Sequence, residues 1–160
     1  MFTKKQRYYA YGILVMALLA VIGSLYFSNF GDPIKNITDG VLFDPTRALE
    51  PCHLCWWARI LIYPMVIITG VGIWKQDRNF INYILILSIL GMPLTLYHYA
   101  LQMFPIGTSA FCTLANPCDA LQVEYLDFIT IPFLAFTAFC IIMSLSMAFR
   151  QENNKPQTVK

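Results

Sequence analysis

Two pairs of cysteines are the residues best suited to chemistry in this sequence. Cys52 and Cys55 lie three positions apart in "PCHLCWWAR", and five residues separate Cys112 from Cys118 in "FCTLANPC". A Cys-X-X-Cys disulfide closes a small ring and exchanges with other thiols more readily than a purely structural bridge does. The spacing of the second pair permits a disulfide and would also let these cysteines contact another protein. Together the pairs predict a relay of thiol–disulfide exchange.

Two polar residues accompany the first pair. Arg59 follows Cys55 by four residues, which places both side chains on one face of a helix. The permanent charge of Arg59, and the positive end of a helix that begins after Pro51, would favour a thiolate. A membrane anchor that reaches the lipid headgroups is the alternative role for Arg59. His98 is a candidate to bind a carbonyl oxygen or accept a proton, with an ordinary surface position as its alternative.

The elements that must position these residues are membrane spans. The 160 residues are 58% hydrophobic and 12% charged, with a mean hydropathy of +0.57, which is too apolar for a soluble domain of this size. A helix needs roughly 20 apolar residues to cross the hydrocarbon core. Four stretches satisfy this requirement, at about Tyr8–Phe27, Trp56–Trp74, Phe80–Tyr99 and Phe128–Phe149. The sequence predicts an all-α membrane protein, a four-transmembrane-helix bundle with residues 1–160 in one domain.

The basic residues indicate how the bundle is oriented. Eight of the eleven precede the first span, join the second to the third, or follow the fourth: Lys4, Lys5, Arg7, Lys75, Arg78, Arg150, Lys155 and Lys160. The opposite side has only Lys35 and Arg47 in one loop and Arg59 at its edge. By the positive-inside rule, both termini are cytoplasmic and two loops are extracytoplasmic. The first span is expected to stay uncleaved, because its apolar run is longer than that of a signal peptide and no small-residue cleavage site follows. Nucleic-acid binding has no support in this charge pattern.

This orientation separates the cysteines by environment. Both pairs face the outside, where disulfides form and persist, whereas Cys140 lies in the middle of the fourth span and is expected only to pack. The first outer loop, about 28–51, is rich in turn residues and predicts at most one short strand or surface helix. The second, about 100–127, is long enough to be functional. A pair at the membrane edge could meet a lipid-soluble oxidant, and we hypothesise a quinone.

The residues resemble the bacterial DsbB-type disulfide oxidoreductases, especially their short form, often called BdbC. The resemblance rests on "PCHLCWWARILIYP", on "YHYALQMFP" leading to "FCTLANPC", and on "ITIPFLAFTAF" at the start of the fourth span, and it covers about residues 8–149. It implies a multi-pass protein of the bacterial cell membrane. Such a protein reoxidises a thioredoxin-like partner of the DsbA or BdbD type and delivers the electrons to membrane quinone, menaquinone or ubiquinone.

The resemblance also implies a role for each candidate residue. Cys112 is attacked by the partner's thiolate, and Cys118 then pairs with Cys52. Cys55 is thereby freed as a thiolate beside the quinone. Arg59 would stabilise the complex of that thiolate with quinone, and His98 would line the quinone site. The loop cysteines are much closer together here than in the longer members, which leaves the order of exchange between Cys118 and Cys52 open.

Three alternatives are compatible with parts of the pattern. An enzyme similar to vitamin K epoxide reductase also combines four helices, a C-X-X-C and a quinone, but its C-X-X-C is expected at the fourth helix rather than the second. A non-enzymatic membrane subunit would use both pairs as structural disulfides. Four thiolates could hold zinc, but an oxidising compartment disfavours keeping all four reduced, so no metal is expected.

Overall fold

The fold is a bundle of four long helices with short elements at one end. The computed structural model describes residues 2–104, 123–126 and 128–154. The long helices are α1 (Lys4–Phe30), α3 (His53–Lys75), α4 (Phe80–Met103) and α5 (Ile131–Asn154). Short elements connect them. A short helix, α2 (Pro33–Thr38), and a 3-10 turn (Pro45–Arg47) lie between α1 and α3, and a hairpin of β1 (Glu124–Tyr125) and β2 (Ile129–Thr130) precedes α5.

Each long helix packs against two of the others. Helix α1 contacts α3 and α5, and α4 contacts the same two helices from the opposite side. The tight link between α3 and α4, with Gln76 in the left-handed conformation (φ 54°), makes those two helices antiparallel. The bundle is therefore an up-and-down ring in which the first and last helices are neighbours.

Glycines allow the closest helix contacts in the core. A Cβ on Gly91 of α4 would lie 2.3 Å from the ring of Phe139 of α5, and one on Gly72 would lie 2.5 Å from Phe80. Phe139 and Phe80 are almost wholly buried. Small residues permit such approach between membrane helices, where packing rather than water exclusion drives association.

The outward faces of the four helices are apolar. Exposed side chains include Leu18, Ile22, Ile67, Ile86 and Ile89. Within the described residues, four helices are long and apolar enough to cross a membrane. The chain is thus mostly helical, with the four span-length helices that were predicted, although the β1–β2 hairpin departs from a purely α-helical fold. The side of the membrane on which each end lies stays a prediction.

Each long helix continues past its predicted span at one or both ends, and the fourth also begins later than predicted. The fourth helix begins at Ile131 rather than near Phe128, because Ile129 and Thr130 pair antiparallel with Tyr125 and Glu124. The third helix continues past Tyr99 to Met103, so its last turn extends beyond the predicted span. The first outer loop contains a surface helix, α2, as its turn-rich sequence allowed.

Candidate functional site

The first cysteine pair lies at the start of α3. Cys52 is the extended residue that precedes the helix, with φ −67° and ψ 168°, and Cys55 lies in the first turn. The backbone N–H of Trp56 donates to the carbonyl oxygen of Cys52 at 3.1 Å and closes that turn. The two Sγ atoms lie 3.0 Å apart. Cys52 is buried and Cys55 is half-buried, so the pair is screened from bulk water on one side.

His98 lies against this pair. Its Nε2 is 3.6 Å from the Sγ of Cys52, and the side chain is only 4% exposed. From the sequence, an ordinary surface position was the alternative prediction for His98. Instead, His98 lies on the buried face of α4, in line with Ser88, Gly91 and Thr95, and its ring lies next to the start of α3. The structure thus brings together three of the residues that the sequence singled out.

The environment of Cys52 favours its thiolate. Hydrogen bonding with the Cys55 thiol lowers the pKa of Cys52 to about 4, and the ring of His98 acts in the same direction. Burial of the sulfur opposes this shift but does not cancel it. Within the free dithiol, these contacts favour the thiolate at Cys52 over the thiolate at Cys55.

Arg59 is held by another helix. Its Nε donates to the Oγ of Ser24 in α1 at 2.9 Å, and its NH2 group donates to the Ser24 carbonyl oxygen at 3.3 Å. The guanidinium also lies over the ring of Trp56, 5.5 Å from the ring centre. Sequence reasoning paired Arg59 with Cys55 and missed Ser24, although a serine in an otherwise apolar span is a detectable signal.

A cavity of about 250 Å³ joins these side chains at the same end of the bundle. All four long helices contribute to its wall. Its polar lining comes from Ser24, Ser28, Cys55, Arg59, Thr95 and His98. The rest of the lining is mainly apolar, including Ala20, Leu19, Leu134, Ala135 and Phe139. Cys55 lines the cavity, whereas Cys52 is not among its lining residues.

The other cysteines have no contact with this cluster that the structure describes. Cys112 and Cys118 lie outside the described residues. Cys140 is a half-buried residue of α5. Within the second outer loop, the hydroxyl of Tyr125 donates to a carboxylate oxygen of Asp32 and ties β1 to the first outer loop. Desolvation and then this contact raise the pKa of Tyr125.

Comparison with known proteins identifies the family. A sequence model described as "Disulfide bond formation protein DsbB" matches residues 37–149. The chain is 39% identical to "Probable disulfide formation protein C" of Halalkalibacterium halodurans, over 94% of this chain and 98% of that protein. It is 34% identical to "Disulfide bond formation protein C" of Bacillus subtilis, over 95% and 99% of the two chains.

A further relative supports the same family assignment. "Probable disulfide formation protein" of Oceanobacillus iheyensis is 36% identical over 96% of each chain. No solved structure matches the chain. These matches confirm the resemblance predicted from the cysteine motifs and support a multi-pass membrane protein with oxidoreductase chemistry. The chain belongs to the DsbB family of disulfide bond formation proteins.

Proposed function

We propose that this protein reoxidises a thioredoxin-like thiol oxidase of the DsbA or BdbD type on the outer face of the membrane and passes the electrons to membrane quinone. One observation carries this proposal: Cys55, Arg59 and His98 line a single cavity directly beside the Cys52 sulfur. A reactive sulfur, a fixed cation and an imidazole then face one ligand-sized space.

The cavity has the properties that a quinone requires. Leu19 of α1 and Leu134 of α5 both line it, and both are also exposed on the outer surface of the bundle. The cavity therefore reaches the lipid-facing surface between α1 and α5, which a lipid-soluble acceptor can enter sideways. Among the polar groups of the cavity wall, Arg59 and His98 can donate to the carbonyl oxygens of a quinone. A membrane quinone, either menaquinone or ubiquinone, would accept two electrons and two protons.

The exchange steps belong to the cysteines. The partner's thiolate attacks Cys112, which breaks the Cys112–Cys118 bond and leaves Cys118 as a thiolate. Cys118 then attacks Cys52, and the Cys52–Cys55 bond breaks with Cys55 as the leaving thiolate. The partner's second thiol completes its own disulfide and releases Cys112. Cys112 then attacks Cys118 and restores the Cys112–Cys118 disulfide, which frees Cys52 as a thiolate. Cys52 and Cys55 are then a dithiol, and its two electrons and two protons would pass to the quinone as the Cys52–Cys55 disulfide re-forms.

The position of Cys55 supports this order of exchange. Attack at Cys52 releases the sulfur of the cysteine that lines the cavity, whereas attack at Cys55 would release the sulfur of the cysteine that does not. Once Cys52 is bonded to Cys118, it cannot hydrogen-bond to Cys55 as a thiolate. The negative charge then falls to Cys55, in the same cavity wall as Arg59.

Quinone reduction by the purified protein tests this function. With a reduced thioredoxin-like substrate and a short-chain quinone, we expect steady turnover, followed by the loss of quinone absorbance. Cys55→Ser should abolish turnover, because no thiolate then forms at the cavity. Cys140→Ser is the matched control and should retain wild-type turnover. Undiminished turnover in Cys55→Ser, or none in the wild type, would reject the mechanism and favour a structural role for the disulfides.

A further inference from the structure

We propose that the reduced Cys52, Cys55 and His98 bind a soft closed-shell cation, Zn²⁺ or Cu⁺, at the outer end of the bundle. The two Sγ atoms and one imidazole nitrogen all lie within 4.8 Å of one another. Cys52 and His98 are buried, and Cys55 is half-buried. This site differs from the four-cysteine site considered from the sequence, since it uses a histidine and neither loop cysteine.

The distances between the donor atoms suit such an ion. A tetrahedral zinc with ordinary Zn–S and Zn–N bonds places a sulfur and a nitrogen about 3.6 Å apart, and two sulfurs about 3.8 Å apart. The Cys52 sulfur and His98 Nε2 are separated by 3.6 Å. The two sulfurs, now at 3.0 Å, must part by roughly 0.8 Å to reach the tetrahedral spacing. A rotation of Cys55 in the first helical turn can supply that change.

The chemistry of the donors selects the ion. Two thiolates and an imidazole favour Zn²⁺ or Cu⁺, whereas Mg²⁺ and Ca²⁺ require oxygen ligands, which this cluster lacks. The thiolates neutralise Zn²⁺, and with Cu⁺ the remaining negative charge lies in the same wall as Arg59. Three protein donors leave a fourth coordination position. Because Cys55 and His98 both line the cavity, that position is open to water, as in exchangeable rather than structural sites.

Binding is linked to the redox state of the pair. Two thiols lose two protons as two metal–sulfur bonds form, and no electrons move. The Cys52–Cys55 disulfide has no thiolate to offer, so the cation binds only the reduced protein and holds it reduced. At a cation concentration about 100 times the Kd, only about 1% of the reduced pair remains free. If the proposed function is correct, the cation also stops turnover.

The test measures binding without quinone or partner, so that its failure is distinct from failure of the proposed function. The protein carries Cys112→Ser and Cys118→Ser, is fully reduced, and is titrated anaerobically with Zn²⁺ against a chromophoric chelator. We expect one cation per chain. Co²⁺ as a probe should give the sulfur-to-metal absorption band of a tetrahedral thiolate site.

The ligand variants decide the outcome. His98→Gln should weaken Zn²⁺ binding by at least about 10-fold, the loss seen when even an outer partner of a ligand is removed. Cys55→Ser should weaken it further, Cys140→Ser should leave it unchanged, and the disulfide form should not bind. Wild-type affinity in His98→Gln, or binding by the disulfide form, would overturn the proposal.

A second measurement does not depend on the folding of the variants. In the reduced protein with all its native cysteines, Zn²⁺ should slow alkylation of Cys52 and Cys55 by a small maleimide at least about 10-fold, measured by mass spectrometry. Cys140 is the internal control. Equal protection of Cys140, or no protection of Cys55, would also overturn the proposal.

Discussion

Arg59 reaches its position in the cavity through Ser24, a residue of a different helix. A guanidinium in an apolar bundle must have its donors satisfied, since an unpaired charge there is costly. Ser24 supplies both its hydroxyl and its carbonyl oxygen to Arg59, and the hydroxyl of Tyr63 lies 3.5 Å from the same serine oxygen. Ser24 is thus a positioning residue for the charge that faces the cavity.

Removing the serine hydroxyl should change quinone use before it changes thiol exchange. In Ser24→Ala, the Nε of Arg59 loses its acceptor and the guanidinium is less well fixed. Hydrogen bonds to charged groups contribute about 1.5–3 kcal/mol, but the carbonyl contact remains, so we expect the KM for quinone to rise roughly 3- to 10-fold. Steady-state kinetics with a short-chain quinone measure this change, and the rate of exchange with the reduced partner should stay the same.

Two variants separate positioning from general damage in this experiment. Ser24→Thr keeps a hydroxyl at the same place and should restore most of the affinity. Ser28→Ala removes a hydroxyl from the same cavity wall, where the structure records no bond to Arg59, and should change the KM less than about twofold. Equal effects of Ser24→Ala on quinone use and on partner exchange would contradict the positioning role.

The sequence predicted which residues belong to the site better than it predicted their contacts. The spacing of Cys52, Cys55 and Arg59 predicts one helical face, because the period of a helix is fixed. It does not predict that Ser24 takes the guanidinium, since that contact depends on how α1 packs beside α3. Likewise, the burial of His98 depends on which face of α4 packs into the bundle.

At the scale of helices, α1 and α5 form the two sides of the opening to the cavity. Gly23 of α1 lines the cavity, and a Cβ at this position would meet no atom within 4 Å. A larger side chain here would enter the cavity instead of colliding with the core. This position can therefore be used to fill the cavity without disturbing the bundle.

A leucine at this position should obstruct the cavity. Gly23→Leu is expected to raise the quinone KM at least about 10-fold, because the leucine occupies space that the acceptor needs, while folding is retained. Quinone titrations of turnover measure the effect. Gly70 of α3 also has open space beyond its Cα and does not line the cavity, so Gly70→Leu is the matched control. Equal kinetics in the two variants would show that the cavity is not the quinone site.

Hydropathy predicts the four long helices because a membrane span requires a long apolar run, and this requirement is local in sequence. The order of the helices around the ring is not local. It depends on fitted contacts such as Phe139 over Gly91 and Phe80 over Gly72. The β1–β2 hairpin that delays the start of α5 was also missed, since two-residue strands carry almost no periodic signal.

At the scale of the whole molecule, the two ends of the bundle differ in chemistry. The cysteine pair, His98 and the cavity lie at one end. At the other end, the Asn153 side chain accepts from Gln6 of α1 at 3.5 Å and from Arg78 in the α3–α4 link at 3.0 Å. The start of α1, the α3–α4 link and the end of α5 therefore lie at the same end of the molecule. This is the end that the basic residues predict to be cytoplasmic.

Labelling of single cysteines tests this orientation. In a variant with all five native cysteines replaced by serine, Thr38→Cys in α2 should react with a membrane-impermeant maleimide in intact cells, since Thr38 is exposed at the cysteine-pair end. Asp77 in the α3–α4 link and Gln151 near the end of α5 are also exposed, but Asp77→Cys and Gln151→Cys should react only after the membrane is permeabilised. The positive-inside rule predicts which end of the bundle is cytoplasmic. The contacts of Asn153 hold the α3–α4 link and the end of α5 at the same end, so Asp77→Cys and Gln151→Cys should be labelled alike. Labelling of Asp77→Cys in intact cells would place the cysteine pair in the cytoplasm and remove the proposed partner from reach.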